Sequence, residues 1–208
     1  MSSPRPSHRI ASPFAVLLVL CSLGFVATAC EGPVDFTHTT KFPLALNLNG
    51  KFAGEAGTPA TEDLGPVLIL YQVPVDLATQ NPELVEYSDS GLFTESAVDQ
   101  ITYKVVSNTA NIDMTNIQLA IGPTEATSLD AENTFVVATI DEIKAGETPM
   151  GMAEIISDNA APIATQVQSL KFAIVSGTDV SVNAGDPIPS GAVQMDVEML
   201  MHFVADPL

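Results

Sequence analysis

The chain reads as a mainly β protein: an antiparallel β-sandwich with one or two short helices, for which an immunoglobulin-like arrangement is one candidate strand order. Two observations predict this. Apolar and polar residues alternate in several short runs, the period of strands with one face in a core and the other in water. Gly, Pro, Asn and Asp punctuate those runs, and helix-period patterns are few. The chain has no Trp, so the Cys–Trp–Cys hallmark of true immunoglobulin domains is missing and the strand order stays open.

Taken in order, Leu44, Leu46 and Leu48 alternate with Ala45, Asn47 and Asn49 in the first clear strand. Residues 51–65, KFAGEAGTPATEDLG, read as an exposed loop. The run 67–73, VLILYQV, is continuously apolar, which predicts a central strand buried on both faces. Asn81-Pro82-Glu83 carries the signals of a helix start, and Ser90-Gly91 ends it. Ile101, Tyr103 and Val105 mark a further strand. After the turn-like stretch 107–111, residues 117–121 are the expected hairpin partner, stopped by Gly122-Pro123. Residues 134–143 form a β-branched run closed by Lys144-Ala145-Gly146. In 158–169, Ile163, Val167 and Leu170 fit one helix face, while Pro162 argues for a late start or none. Residues 170–175 read as a strand. The last strand is the clearest: Val193, Met195, Val197, Met199, Met201 and Phe203 line one side. Gln194, Asp196, Glu198 and His202 line the other, with Leu200 the exception.

The N-terminus belongs to a different logic. Arg5, His8 and Arg9 precede FAVLLVLCSLGFVATA (14–29), an apolar run of signal-peptide length and short for a membrane span. The expected organisation is a cleaved signal peptide over 1–29, a lipid-anchored tether over 30–41 and one β-sandwich domain over 42–208. An earlier start of order at Val34-Asp35-Phe36 is the alternative, which would hold the domain within about 10–15 Å of Cys30. Two other readings of the segment are a soluble secreted protein cut after Ala29 and a permanent anchor helix.

Cysteine usage favours the lipid. Of two cysteines, Cys21 lies in the segment to be removed, which leaves Cys30 alone. A thioether at Cys30 disposes of that thiol, and the domain then has no disulfide to hold it. All 25 acids follow residue 29, against five Lys and no Arg, so the mature side-chain charge is −20. Such a polyanion repels phosphates and anionic headgroups, which excludes nucleic acid as a partner. Divalent cations are the partners the charge invites.

Motifs for chemistry are sparse. Only His38 and His202 remain after residue 29, and neither sits in a nucleophile–base pattern; G-x-S-x-G is absent. Met199-Leu200-Met201-His202 offers soft ligands for Cu(I), but on a strand His202 points away from Met201, so the methionines read as core. No His or Cys spacing suits zinc. Acids at Glu62-Asp63, Glu95, Asp130-Glu132 and Asp141-Glu142 are candidate loop ligands for Ca²⁺, and 25 acids always offer some carboxylate pair at a separation that suits glycoside hydrolysis. Solvated surface is the simpler reading of each. Tyr71 and Tyr103 fall on core faces, which leaves Tyr87 the tyrosine nearest solvent. No phosphate-binding glycine motif occurs, and no cofactor is expected.

Val26-Ala27-Thr28-Ala29-Cys30 resembles the lipobox of bacterial lipoproteins, with Ala27 where the family usually has Leu. That cut, the series Tyr71–Leu77, the acidic segment 81–90, Ile101–Val105 and the closing Phe203–Leu208 together resemble small lipoproteins of Gram-negative bacteria of the myxobacterial kind. The resemblance implies lipidation at Cys30 and carries no activity or cofactor with it. Glu31, in place of the Asp that retains lipoproteins at the inner membrane of enteric bacteria, implies an outer-membrane address. The expected role is a non-enzymatic binding or scaffolding domain of the cell envelope. Its partners are the membrane, through the lipid, and an envelope protein or small molecule. The rivals are a secreted or periplasmic hydrolase using loop carboxylates and a Ca²⁺-dependent adhesion module.

Overall fold

The computed structural model describes residues 32–206. Residues 1–31, which include the segment 1–29 expected to be a cleaved signal peptide as well as Cys30, and the final pair 207–208 lie outside the described residues.

Long alternating runs give long strands. β1 (Val34–Asn47) and β9 (Ala192–Ala205) pair antiparallel over their whole lengths, from Val34 opposite Ala205 to Asn47 opposite Ala192. β3 (Phe93–Asn108) takes the other side of β9, and the short β6 (Met150–Met152) flanks β3. Sheet A therefore runs β1-β9-β3-β6. Sheet B runs β2-β8-β4-β5-β7, built from Leu64–Asp76, Lys171–Val182, Met114–Gly122, Phe135–Ile143 and Glu154–Ile155. Every neighbouring pair is antiparallel.

The sandwich expectation is met, and the open question of strand order resolves to a jelly roll. Successive strands change sheet at nearly every connection, so β1, β9, β3 and β6 face β2, β8, β4 and β5. The immunoglobulin arrangement instead keeps its first two strands in one sheet. The same crossing corrects the expected hairpin. The strands around 101–106 and 117–121 lie in opposite sheets, and the turn between them passes from sheet A to sheet B.

The inner faces meet in one core. From β9, Val193, Met195, Val197, Met199, Met201 and Phe203 are each at most 1% exposed. Burying side chains of this size contributes roughly 1.5–3 kcal/mol each in transfer free energy. They pack with Phe42, Leu44 and Leu46 of β1 and with Ile117, Leu119, Phe172 and Ile174 of sheet B.

β1 begins at Val34, eight residues before the domain boundary expected at Phe42. The segment 34–41 is paired strand rather than tether. Its inward row carries His38 and Thr40, polar residues that hid the period of two. β2 also differs from expectation. It is an edge strand, in which Ile69 and Val75 alone are fully buried. Its apolar outward residues are explained by the connection 123–134, which lies against that side of sheet B. Gln72 Nε2 donates to Thr124 O at 3.2 Å, and Leu70 and Leu129 both reach the space beside Gly177.

Three short helices form, one more than expected. Asp76 caps α1 (Leu77–Gln80), its Oδ1 accepting from Thr79 N at 3.0 Å. α2 (Glu83–Asp89) follows Asn81 and Pro82 and stops at Ser90, as the sequence signals indicate. A 3₁₀ turn over Ser157–Asn159 leads into α3 (Ala160–Gln168), with Pro162 in its first turn, where a missing N–H costs nothing. Ile163 and Val167 point into the core, and Leu170, at φ 59°, ends the segment. Among the described residues no helix is long and apolar enough to cross a membrane.

Candidate functional site

Cys30, the residue for which the resemblance to lipoproteins implies lipidation, is not among the described residues. The candidate surface that the structure adds is the outward face of sheet A where it ends at β6. Rows across the sheet follow the strand register. Lys41, Glu198, Thr102 and Met152 share one row; Pro43, Asp196, Lys104 and Met150 share the next. Shallow cavities of about 540 Å³ and 390 Å³ lie over these rows and share Asp196 and Glu198.

Charge is balanced locally within this band. Lys41 Nζ meets Glu198 Oε1 at 2.6 Å, with both side chains largely in water, so the pair contributes at most about 1 kcal/mol. The apolar content is less usual. Met150 is 73% and Met152 71% exposed, and Val106 on the adjacent strand is 49% exposed. Exposed apolar side chains gathered in one place mark contact surfaces more often than scattered ones do.

The geometry of β6 explains why these methionines face water. Val105 N donates to Pro149 O at 2.8 Å and Ala153 N to Ile101 O at 2.9 Å. Residues 149, 151 and 153 therefore bond to β3, and the backbone groups of Met150 and Met152 turn to the open edge. On the inward side the ring of Tyr103 lies across Gly151, where a Cβ would stand 3.1 Å from the Tyr103 hydroxyl oxygen. The inward place is taken by an aromatic ring, so the two thioethers take the outward one. Gln100 Nε2 donates to Met152 Sδ at 3.1 Å. An apolar pair at i and i+2 predicts burial, so the sequence gives no reason to single out Met150 and Met152. Only Gly between them hints that the inward side is already occupied.

The other sequence candidates are not brought together. His38 and His202 sit on neighbouring strands and opposite faces of sheet A. His38 Nε2 lies 3.2 Å from Gln80 Oε1, and His202 Nε2 lies 3.7 Å from Asp35 Oδ1. Met199 and Met201 are fully buried, as their strand position predicts. Glu95 and Asp141-Glu142, expected in loops, are strand residues on β3 and β5. Glu62-Asp63 and Asp130-Glu132 are loop residues in different connections. Among the described residues, no three His, Cys, Asp or Glu side chains converge to hold a metal ion. Tyr87, expected nearest solvent, is half-buried, with its ring 4.8 Å from Phe36 and 6.3 Å from Phe93.

In the connections between strands, several acids serve as hydrogen-bond acceptors. Asp63 Oδ1 takes Ala184 N at 2.8 Å, Asp113 Oδ1 takes Ala145 N at 2.8 Å, and Asp186 Oδ2 takes Asn183 Nδ2 at 3.0 Å. These bonds fasten the connections 48–63, 109–113, 144–149 and 183–191. A polar cavity of about 360 Å³ opens among them, lined by Asn111, Asp113, Asp179 and Asp186.

No family model matches the chain, and no match was found among curated proteins. Solved structures give distant likenesses. Desmodium yellow mottle tymovirus is 14% identical over 100% of this chain and 98% of that one, with a TM-score of 0.19. Turnip yellow mosaic virus is 10% identical over 88% of each, with a TM-score of 0.25. A semi-empty virus-like particle of the nodavirus of the prawn Macrobrachium rosenbergii is 8% identical over 99% and 96%, with a TM-score of 0.28. Likeness at this level decides nothing about role. The jelly roll rests on the strand order of the chain itself.

Proposed function

We propose that this protein is a lipid-anchored domain of the cell envelope, fixed through Cys30, that acts by binding or scaffolding rather than by catalysis. The outward face of sheet A at β6 is its contact surface. The observation that carries the binding half is the exposure of Met150, Met152 and Val106 together at one sheet edge. Methionine side chains are flexible and polarisable and adapt to varied partner shapes, which suits them to such a surface.

The anchor half is supported by Val26–Cys30 and by the resemblance of the chain to small lipoproteins of Gram-negative bacteria. Only residues 31–33 separate Cys30 from the first residue of β1. A triacylated cysteine exceeds the two-signal requirement for stable membrane attachment, so the acidic domain needs no electrostatic help from the bilayer. Glu31 supports an outer-membrane address.

The test is metabolic labelling with a fatty-acid analogue in cells producing the wild type or Cys30→Ser. The wild type takes up label and fractionates with membranes; the substituted protein does neither. Unlabelled, freely soluble wild type overturns the anchor and leaves a secreted protein.

A further inference from the structure

We propose that Met150 and Met152 are an oxidant-reactive modification site, converted reversibly to methionine sulfoxide by peroxides while the domain stays folded. The inference stands on the two side chains themselves and needs neither the lipid nor a partner.

The six methionines of the described residues fall into two classes with nothing between. Met114, Met195, Met199 and Met201 are at most 1% exposed, against 73% and 71% for Met150 and Met152. Residues 32–206 contain no cysteine, so thioethers are the only sulfur nucleophiles there. With hydrogen peroxide, the sulfur lone pair attacks one peroxide oxygen. The S–O bond forms as the O–O bond breaks, and the second oxygen leaves as water after proton transfer. Sulfur loses two electrons and the peroxide gains them. Access of the oxidant to sulfur decides which methionine reacts.

The product also fits this place and not the core. A sulfoxide is polar, so on Met199 or Met201 it would put an unpaired acceptor among apolar side chains. On β6 it projects into water from a sheet edge. At Met152 the new oxygen is attached to the atom that Gln100 Nε2 already approaches at 3.1 Å, so an amide donor stands ready for it. Lys104, directly opposite Met150 in the register, supplies a second donor on the same face. Exposure of both side chains leaves the sulfoxides open to methionine sulfoxide reductases, which restore the thioether.

The experiment exposes the full chain to millimolar hydrogen peroxide, maps oxygen uptake by peptide mass spectrometry and follows the urea midpoint in parallel. Met150 and Met152 are expected to gain oxygen at least about tenfold faster than the four buried methionines. The urea midpoint should not move, and a mixture of the two reductases, one for each sulfoxide epimer, should return the original mass. The double variant Met150→Leu/Met152→Leu, which leaves the core untouched, should lose the fast uptake. First uptake at Met199 or Met201, unfolding in step with uptake at β6, or undiminished fast uptake by the double variant each overturns the proposal.

Discussion

The two sheets treat their outward faces differently. Sheet A leaves its outward face to water, with Thr37, Lys41, Asp196 and Glu198 on it as well as Val106 and the two methionines of β6. Burial along β9 alternates between that face and the core. Sheet B carries a second dry layer on its outward side. Ala120, Ala173 and Val175 are fully buried there, although they do not belong to the central core, and Ala126 of the connection 123–134 joins them. The residues of this layer are small because the connection lies close. A Cβ on Gly177 would stand 2.7 Å from Leu70 and 3.0 Å from Leu129. An outward face can thus be closed by a stretch of the chain's own connection, with no second sheet or long helix over it.

The strongest way to break this comparison is to place one charge on each outward face. Val175→Asp buries an unpaired carboxylate beneath the connection 123–134 and should cost about 3–5 kcal/mol. Leu200→Asp, outward on β9, should cost less than about 1 kcal/mol. Urea unfolding measures both, and equal costs would mean that the second layer is wet. A smaller effect of opposite sign tests the inward faces. Thr40 Oγ1 in sheet A and Ser176 Oγ in sheet B are buried without a hydrogen-bond partner. Thr40→Val and Ser176→Ala should each raise stability by about 1 kcal/mol, since a buried unsatisfied hydroxyl is removed. A loss in either variant would reveal a partner for that hydroxyl.

The smallest effect belongs to the surface of sheet B at Asp76. Its pKa is held below the ordinary 3.8, first by the bond from Thr79 N to its carboxylate and further by Lys171. A lowered folded-state pKa means that the ionised form stabilises the fold. That contribution is complete above 3.8 and is lost as pH falls through the folded value. Asp76→Asn should therefore melt slightly lower than the wild type at neutral pH, with the gap closing under acid. A gap that persists or widens under acid would place the cause elsewhere.

The same contrast explains what could be read from the sequence. β9 is legible because one of its faces is wet, so the period of two survives. β8 is legible as a strand from its apolar run 170–175. β2 looks central for the same reason and is an edge strand, because sequence cannot distinguish cover by a strand from cover by a connection. The first half of β1 is hidden where His38 and Thr40 occupy inward places. β6 and β7, of three and two residues, are too short to show a period at all. The candidate site is hidden with them. The hairpin expected between the strands at 101–106 and 117–121 fails for a related reason, since a short turn can join two strands by crossing layers as readily as by reversing within one.

The pairing of Val34 with Ala205 has a mechanical consequence. The chain enters and leaves the sandwich side by side, at one end of two antiparallel strands. A load applied between those two ends would pull across the ladder and not along it. Its rungs would then give way in succession, at a force far below what a shearing geometry withstands. Tugged from both termini, the sandwich would open like a zip, starting with β1.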